Sequence, residues 1–326
     1  MQGKDPSEQE PRPKSNAGID VSKLWLDAHV VPSGQSLRVP NTRDGIRKLK
    51  RWLGRFELVL IVLEATGKWH RPLHRSLHAS GLASAVVDPF RVRMFAKAQG
   101  VLAKTDRLDA RVLAQFAAVM TPASRPPAPE LMEELAELVT ARESAVAEET
   151  SLKNQRAAAN TAFLQRQLAQ RMAGLAKAIA ALEREILARI RADAVLERRY
   201  AILISIPGIG FVAAVTLIAA LTELGTCNAK QVSMLAGLAP IADESGERQG
   251  VRVVWGGRPR LRRILYLAGL SAARFNADMA TFYRRLVDNG KAAKLAVIAV
   301  ARKLVILANT LIAEDRTWMP IPPKHA

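Results

Sequence analysis

One cysteine, Cys227, stands in 326 residues. It cannot close an internal disulfide and offers no Cys-based metal site, which suits a reducing, cytoplasmic setting. Its plain reading is a small buried or semi-buried residue. Acid is also in short supply, 30 Asp and Glu against 48 Lys and Arg, a net charge of +18 and a pI near 10.6. A surplus of that size attracts polyanions and makes their binding depend on salt, so nucleic acid is the first partner to expect. Long apolar runs are scarce as well. Ala201 to Thr222 holds no charged residue, but Pro207, Gly208 and Gly210 break it into pieces too short to cross a bilayer, so it reads as buried core with no membrane partner. Met1 to Asn16 is polar and lacks the apolar stretch of a secretory signal, and it reads as a disordered tail.

The chain is long enough for two ordinary domains, and 49% apolar content gives each a core. Strand-like runs occupy AGIDVS, LWLDAHVV, SLRVP and LVLIVLE, with a helical stretch from Thr42 to Leu53 before the last. A helix over Lys68 to Ser80, a strand at SAVVDP and a helix over Thr105 to Val119, capped by Thr105, follow. Three antiparallel strands and then alternating strand and helix is the order of an RNase H-like fold.

The four prolines of Thr121 to Pro129 form an extended linker. Beyond it, Leu131, Leu135, Leu138, Arg142, Ala145, Glu149 and Leu152 step by four and three, and Leu168 to Ile186 does nearly the same. Two long helices in a coiled-coil hairpin or a subunit contact fit this spacing, with Arg142 and Glu149 as polar seam positions; so do two helices packed on their own domain. From Tyr200 the chain reads as mostly helical, with turns at PGIG, at GLAP and across Asp243 to Pro259.

Acids at structured positions need an account in so basic a chain. Asp20 lies inside the first apolar strand, and Glu64 closes a run that is otherwise apolar. Asp106 and Asp109 are three apart at a helix start and point the same way; alone, they complement the helix dipole equally well. Two-metal phosphoryl transfer needs several carboxylates converging on cations roughly 3.5 to 4 Å apart, and carboxylate oxygens suit Mg²⁺. Strand Asp, strand-end Glu and two helical Asp is the order of RuvC-like sites.

Here the resemblance becomes specific. GIDVSKLWLDAHVV, LEATGKWHRPLHRSL, VVDPFRVRMFAKAQG and KTDRLDARVLAQFA resemble successive blocks of the DEDD-type insertion-sequence transposases, the IS one-ten class. SIPGIGFVAAVTLIAAL, MLAGLAPIADESGERQG and VVWGGRPRLRRILYLAGLSAARFN through GKAAKLAVIAVARKL are similar to that family's C-terminal transposase domain. The resemblance implies that Asp20, Glu64, Asp106 and Asp109 bind the metal and that a serine serves as nucleophile. Read alone, Ser245 is a polar residue before a turn glycine; the family's Ser-Gly pair after a G-L-x-P segment matches Gly237 to Pro240 and Ser245-Gly246. A serine attacking a phosphodiester keeps the bond energy in a phosphoserine, so that strands are rejoined without ATP. The resemblance also implies a bridge RNA, encoded by the element, that pairs with donor and target DNA. Trp69-His70 departs from the family pattern, which often has aromatic residues at both places.

From Ser245 to Lys303 there are 13 Lys and Arg against 3 Asp and Glu, whereas Glu130 to Arg199 holds 11 of each. The C-terminal region therefore reads as the phosphate-binding surface, with Arg248, Arg252, Arg258, Arg260, Arg262 and Arg263 as candidate clamps or as a solvated face. PGIG before an apolar helix resembles a helix-hairpin-helix turn that holds a phosphate, and equally a packing turn. His70, His74 and His78 have a spacing that invites zinc, but Pro72 between them and the lack of supporting ligands argue against it.

The expected fold is α/β plus α: a disordered tail (1–16), a RuvC-like DEDD domain with a mixed sheet (17–120), the linker (121–129), coiled-coil helices (130–199), a helical serine transposase domain (200–318) and a tail (319–326). The expected function is a Mg²⁺-dependent transposase acting on donor and target DNA with an element-encoded RNA, as a homodimer or homotetramer. A RuvC-like nuclease using water attack and a non-enzymatic nucleic-acid-binding protein are the alternatives.

Overall fold

The computed structural model describes residues 13–65, 67–101, 106–241, 244–245, 248–249 and 253–320, and the backbone alone at 106–108, 244–245 and 248–249. Thr105, the expected helix cap, lies outside the described residues. The chain divides into two compact units, Met1–Ala128 and Pro129–Ala326.

In the first unit β1 (Lys14–Val21), β2 (Trp25–Val31) and β3 (Ser36–Pro40) are followed by α1 (Arg43–Leu53), β4 (Glu57–Glu64), α2 (Arg71–Ala79), β5 (Ser84–Val87), α3 (Pro89–Ala98) and α4 (Asp106–Met120). The sheet order is β3-β2-β1-β4-β5. Short turns make β1, β2 and β3 antiparallel, while β1, β4 and β5 run parallel through helical crossovers. This is the RNase H-like arrangement, a mixed sheet between two helical layers. Ala17, Ile19, Leu26, Ala28, Ile61 and Leu63 pack on Ile46, Leu49 and Leu53 of α1 and Leu73 and Leu77 of α2. On the other face Leu60, Val62, Ala85 and Val87 meet Val92 of α3 and Val112, Leu113 and Phe116 of α4.

Two boundaries differ from the pattern reading. β1 begins at Lys14, inside the expected tail, because Lys14 and Ser15 pair with Glu57 and Leu58 and the Ser15 hydroxyl donates to Pro13 O at 3.0 Å. Its polar letters hide a strand whose pairing is made by backbone. The SAVVDP strand ends at Val87; Asp88 accepts from the N–H of Phe90 and Arg91 and caps α3, with Pro89 in the first turn. The proline-rich segment also starts attached: Ser84 N–H donates to Ser124 Oγ at 3.0 Å and Arg125 N–H to Ser84 O at 3.2 Å, which covers the outer edge of β5.

The second unit contains α5 (Glu130–Ala158), α6 (Ala162–Arg191), α7 (Ala194–Ile204), α8 (Phe211–Ala220), α9 (Ala229–Leu235), four two-residue strands β6 (Pro240–Ile241), β7 (Glu244–Ser245), β8 (Arg248–Gln249) and β9 (Val253–Val254), then α10 (Pro259–Phe275), α11 (Ala277–Asp288) and α12 (Ala293–Ala313). α5 and α6 form a hairpin. Arg142 bridges to Glu183 on the facing helix at 2.7 Å, whereas Glu149 pairs with Lys153 of its own helix at 2.9 Å. Leu135 and Val139 of α5 and Ile186 and Ile190 of α6 belong to the same core as α7 to α12. Further out only Leu152, Ala159 and Leu168 are buried together.

The apolar stretch 201–222 is core, as its break by Pro and Gly implies: α7 and α8 flank the turn, and Gly208 at φ +106° sits against Ala272 of α10. Asn276 Nδ2 donates to Pro207 O at 3.3 Å and ties the PGIG turn to the start of α11. By length and composition alone, α12 would qualify to cross a membrane, with a mean hydropathy of 2.0, and half of that stretch is buried. It is the central helix of this core. Its buried Asn309 accepts from Gly225 N–H at 2.8 Å and donates to Cys227 O at 2.7 Å.

Candidate active site

One rung of the first unit's sheet concentrates charge. β1 and β4 pair Ile19 with Leu63, so Asp20 and Glu64 follow side by side one residue further on. Along the same rung Asp20 is opposite Asp27, Asp27 opposite Arg38, and Glu64 opposite Val87. Side chains alternate along a strand. Ile19 and Leu63 point to α1 and α2 and Gly18 and Val62 to α4, so Asp20, Glu64, Asp27 and Arg38 share the α4 face. With neighbouring strands about 4.8 Å apart, Glu64 to Arg38 spans about 14 Å.

α4 approaches that rung from its N-terminus. Its last turn leads to Ser124 and Arg125, which bind Ser84 at the start of β5. The helix therefore finishes where the parallel strands begin and starts where they end, beside Asp20 and Glu64. Ala110, Leu113 and Ala114 lie on Gly18, where an added Cβ would come within 2.6 Å of all three backbones. Asp106 and Asp109 stand one turn ahead of Ala110 and Leu113 on the same side of α4. Asp109 is half-buried. The side chain of Asp106 lies outside the described residues, and among the described residues no three His, Cys, Asp or Glu form a metal-sized cluster.

Asp27 escaped the sequence reading. It is 5% exposed and holds Arg38 Nε at 2.9 Å. Leu26, Ala28 and Val30 mark its alternate face as core-facing, and an acid between them reads as solvated; the signal lay in α4 covering that other face. His29, also on this face, has its pKa lowered from the ordinary 6.5 by burial and by the charge of Arg111.

His74 is buried, with a ring nitrogen 3.1 Å from Arg125 O. The His70, His74, His78 series thus includes a member used to hold the segment after α4.

Ser245 lies on a nested ribbon. β6 and β9 form the outer pair (Pro240 with Val254, Ile241 with Val253), and β7 and β8 the inner one. Ser245 is directly opposite Arg248. The side chains of Ser245 and Arg248, and all of Gly246 and Arg252, lie outside the described residues. At the ribbon's base, Gly257 passes so close to Gly237 and Met234 O that a Cβ would fall within 2.5 Å of them.

Three of the candidate clamps have protein partners. Arg258 makes a two-pronged pair with Glu223 at 2.6 and 2.8 Å and donates to Ala220 O. Arg260 reaches Glu143 at 2.8 Å and Thr140 at 3.1 Å, and Arg262 donates to Gly256 O at 3.1 Å. Arg263 is exposed.

Comparison with known proteins decides the family. A DEDD-type family model of IS110, described as Transposase, matches residues 17–163, and a second, described as Transposase IS116/IS110/IS902 family, matches residues 200–284. The chain belongs to this transposase family. The pilin gene-inverting protein of Moraxella bovis is 26% identical over 94% of this chain and 98% of its own length, and that of Moraxella lacunata is 26% identical over the same shares. An IS900 uncharacterized 42 kDa protein of Mycobacterium paratuberculosis is 30% identical over 46% of this chain and 39% of its own. Among solved structures, T. thermophilus RuvC in complex with Holliday junction substrate aligns with 15% identity and a TM-score of 0.27, covering 34% of this chain and 99% of that one. Both matched regions of the transposase fall where the geometry is informative: the first contains the charged rung and α4, the second the ribbon of Ser245 and the start of α10.

Proposed function

We propose that this transposase cuts and rejoins donor and target DNA at Asp20, Glu64, Asp106 and Asp109, with Ser245 as the nucleophile and a bridge RNA encoded by the element as guide. The supporting observation is the shared end of the sheet: Asp20 and Glu64 adjacent on one rung, under the N-terminus of the helix that carries Asp106 and Asp109. An all-carboxylate donor set fits a hard divalent cation and Mg²⁺ in particular. When bound, the metal supplies Lewis-acid stabilisation of the phosphate oxygens and activates the attacking hydroxyl. The chain's own contribution is placement. Gly18 lets α4 lie on β1, and Asp27, opposite Asp20, holds Arg38 on the next strand of the same rung. In the second unit, Gly237, Gly257 and Arg262 close the base of the ribbon that presents Ser245.

In this reading residues 17–120 are the RuvC-like domain, 130–199 the hairpin, and 200–318 the serine transposase domain. Arg248, Arg252 and Arg263 contact phosphates, while Arg258, Arg260 and Arg262 brace the ribbon and α10. The exposed outer half of the α5–α6 hairpin is the contact between copies in a dimer or tetramer.

Serine attack leaves the chain attached to a cut strand, whereas water attack does not. Incubating the full chain with its RNA, Mg²⁺ and nicked donor DNA is expected to trap an adduct that survives SDS. Ser245→Ala abolishes it, and Ser271→Ala retains it. Asp20→Asn, Glu64→Gln and Asp106→Asn are expected to lose cutting while keeping nucleic-acid binding. An adduct on another residue, or cutting without an adduct, would make the water-attack nuclease the better reading.

A further inference from the structure

The charged rung does not end at the acids. Arg38 terminates it on β3, about 10 Å or two strand spacings from Asp20. Buried Asp27 fixes its Nε. Its guanidinium carbon lies 5.6 Å from the centre of the Trp25 ring, two residues before Asp27 on the same face of β2. Trp25 is 42% exposed and the Arg38 side chain 43%. A half-exposed indole leaves apolar ring surface in water; here an ion pair, a ring contact and a strand register fix the ring and the guanidinium at the open end of the sheet. The same edge carries a second aromatic ring with cations over it, Lys23 and Lys68 each 5.8 Å from the centre of Trp69. Asn41 ties the two sides together by donating to Ser22 O at 2.8 Å and Trp69 O at 3.3 Å.

We infer that Trp25 and Arg38 form a ledge for the DNA strand entering the carboxylate site, the indole stacking on an unpaired base and the guanidinium meeting the adjoining phosphate. Base stacking on an aromatic ring suits any sequence, as a strand whose sequence is read elsewhere requires. Asp27 orients the guanidinium fork, and a planar fork suits phosphate better than an ammonium does. Successive phosphates of an extended strand are roughly one and a half strand spacings apart, so a phosphate at Arg38 lies within one or two nucleotides of one at Asp20. The inference rests on the proposed role of Asp20 and Glu64, and the two fail separately.

The test uses the full chain and an oligothymidylate on the order of a dozen nucleotides long, carrying one 5-iodouracil. Irradiation is expected to crosslink it to the peptide containing Trp25. Trp25→Ala is expected to weaken binding about tenfold, and Trp25→Phe, which keeps a ring, to restore most of the loss. Arg38→Lys, which keeps the charge but loses the planar fork, is expected to weaken binding about threefold and to leave the salt slope nearly unchanged. On donor DNA, Trp25→Ala is expected to raise KM while leaving kcat within about twofold. Native affinity in Trp25→Ala, or a crosslink that maps elsewhere, overturns the ledge. So does an oligouridylate that crosslinks to Trp25 when the oligothymidylate does not, since the strand would then be RNA. Full cutting by Asp20→Asn instead sinks the carboxylate assignment, and leaves the binding result to stand by itself.

Discussion

Gly18 sets the distance between the strand that carries Asp20 and the helix that carries Asp109. A Cβ there would lie 2.2 Å from Ala114 N and 2.3 Å from Ala110 O. These are backbone atoms, with no rotamer to relieve the clash, so α4 itself has to move. Overpacking of this kind costs about 3 kcal/mol. Gly18→Ala is expected to lower the unfolding free energy by that amount, read as a lower urea midpoint at unchanged m. It is also expected to cut the rate of DNA cleavage about 100-fold, as a displacement of about 1 Å at a catalytic group does. Urea denaturation and single-turnover cleavage check the two effects, and native cleavage by a folded Gly18→Ala would show that α4 does not set the site. In the sequence, Gly18 is one letter of an apolar run. Nothing in that run announces close approach, whereas Asp20 and Glu64 stand out by charge alone. Asp27 shows the opposite failure: its charge was visible, but its burial depends on β3 and α4, which the local pattern does not contain.

The α5–α6 hairpin separates what periodicity can reveal from what it cannot. Steps of four and three located both helices and put Leu135 and Ile186 on the seam, because spacing along one helix is a local property. How far the hairpin enters the second unit's core depends on α7 to α12, and no heptad shows that. Leu135 is 1% exposed within that core and Leu164, in the first turn of α6, is 45% exposed. Leu135→Ala is therefore expected to cost about 3 kcal/mol, and Leu164→Ala to stay within about 0.5 kcal/mol. Chemical denaturation of the full chain checks both, and equal costs would refute the division of the hairpin into an inner core half and an outer exposed half. The same logic explains α3 and the ribbon. PFRVRMFAKA has basic residues among its apolar ones and no clean face, and Asp88, its cap, continues the letters of the strand before it. The two-residue strands around Ser245 are too short for any alternation to register, so that stretch read as turns.

At the scale of the whole molecule the unit boundary changes how the charge is divided. Over Ser245 to Lys303 the basic excess is dense, which made the C-terminal region look like the main phosphate-binding surface. Divided at Ala128, the first unit carries 21 Lys and Arg against 11 Asp and Glu, and the second 27 against 19. The first is the more basic in both surplus and density, although its acids include the four of the proposed metal site. In the second unit, Arg258, Arg260, Arg142 and Arg189 pair with glutamates. Both units are therefore expected to bind the polyanion. Met1–Ala128 and Pro129–Ala326 each have their own buried core, so each can be produced separately. The first fragment is expected to bind oligothymidylate with a slope of log K against log salt near −3, corresponding to about four phosphate contacts at about −0.7 each. Asp20→Asn, which removes a negative charge near the strand, is expected to tighten that binding in the absence of divalent cation; added Mg²⁺ is expected to tighten the native fragment and to leave the variant nearly unchanged. Filter binding across a salt series measures all three. A first fragment with no affinity would return the phosphate-binding role to the C-terminal region alone and remove the surface on which Trp25 and Arg38 are expected to act.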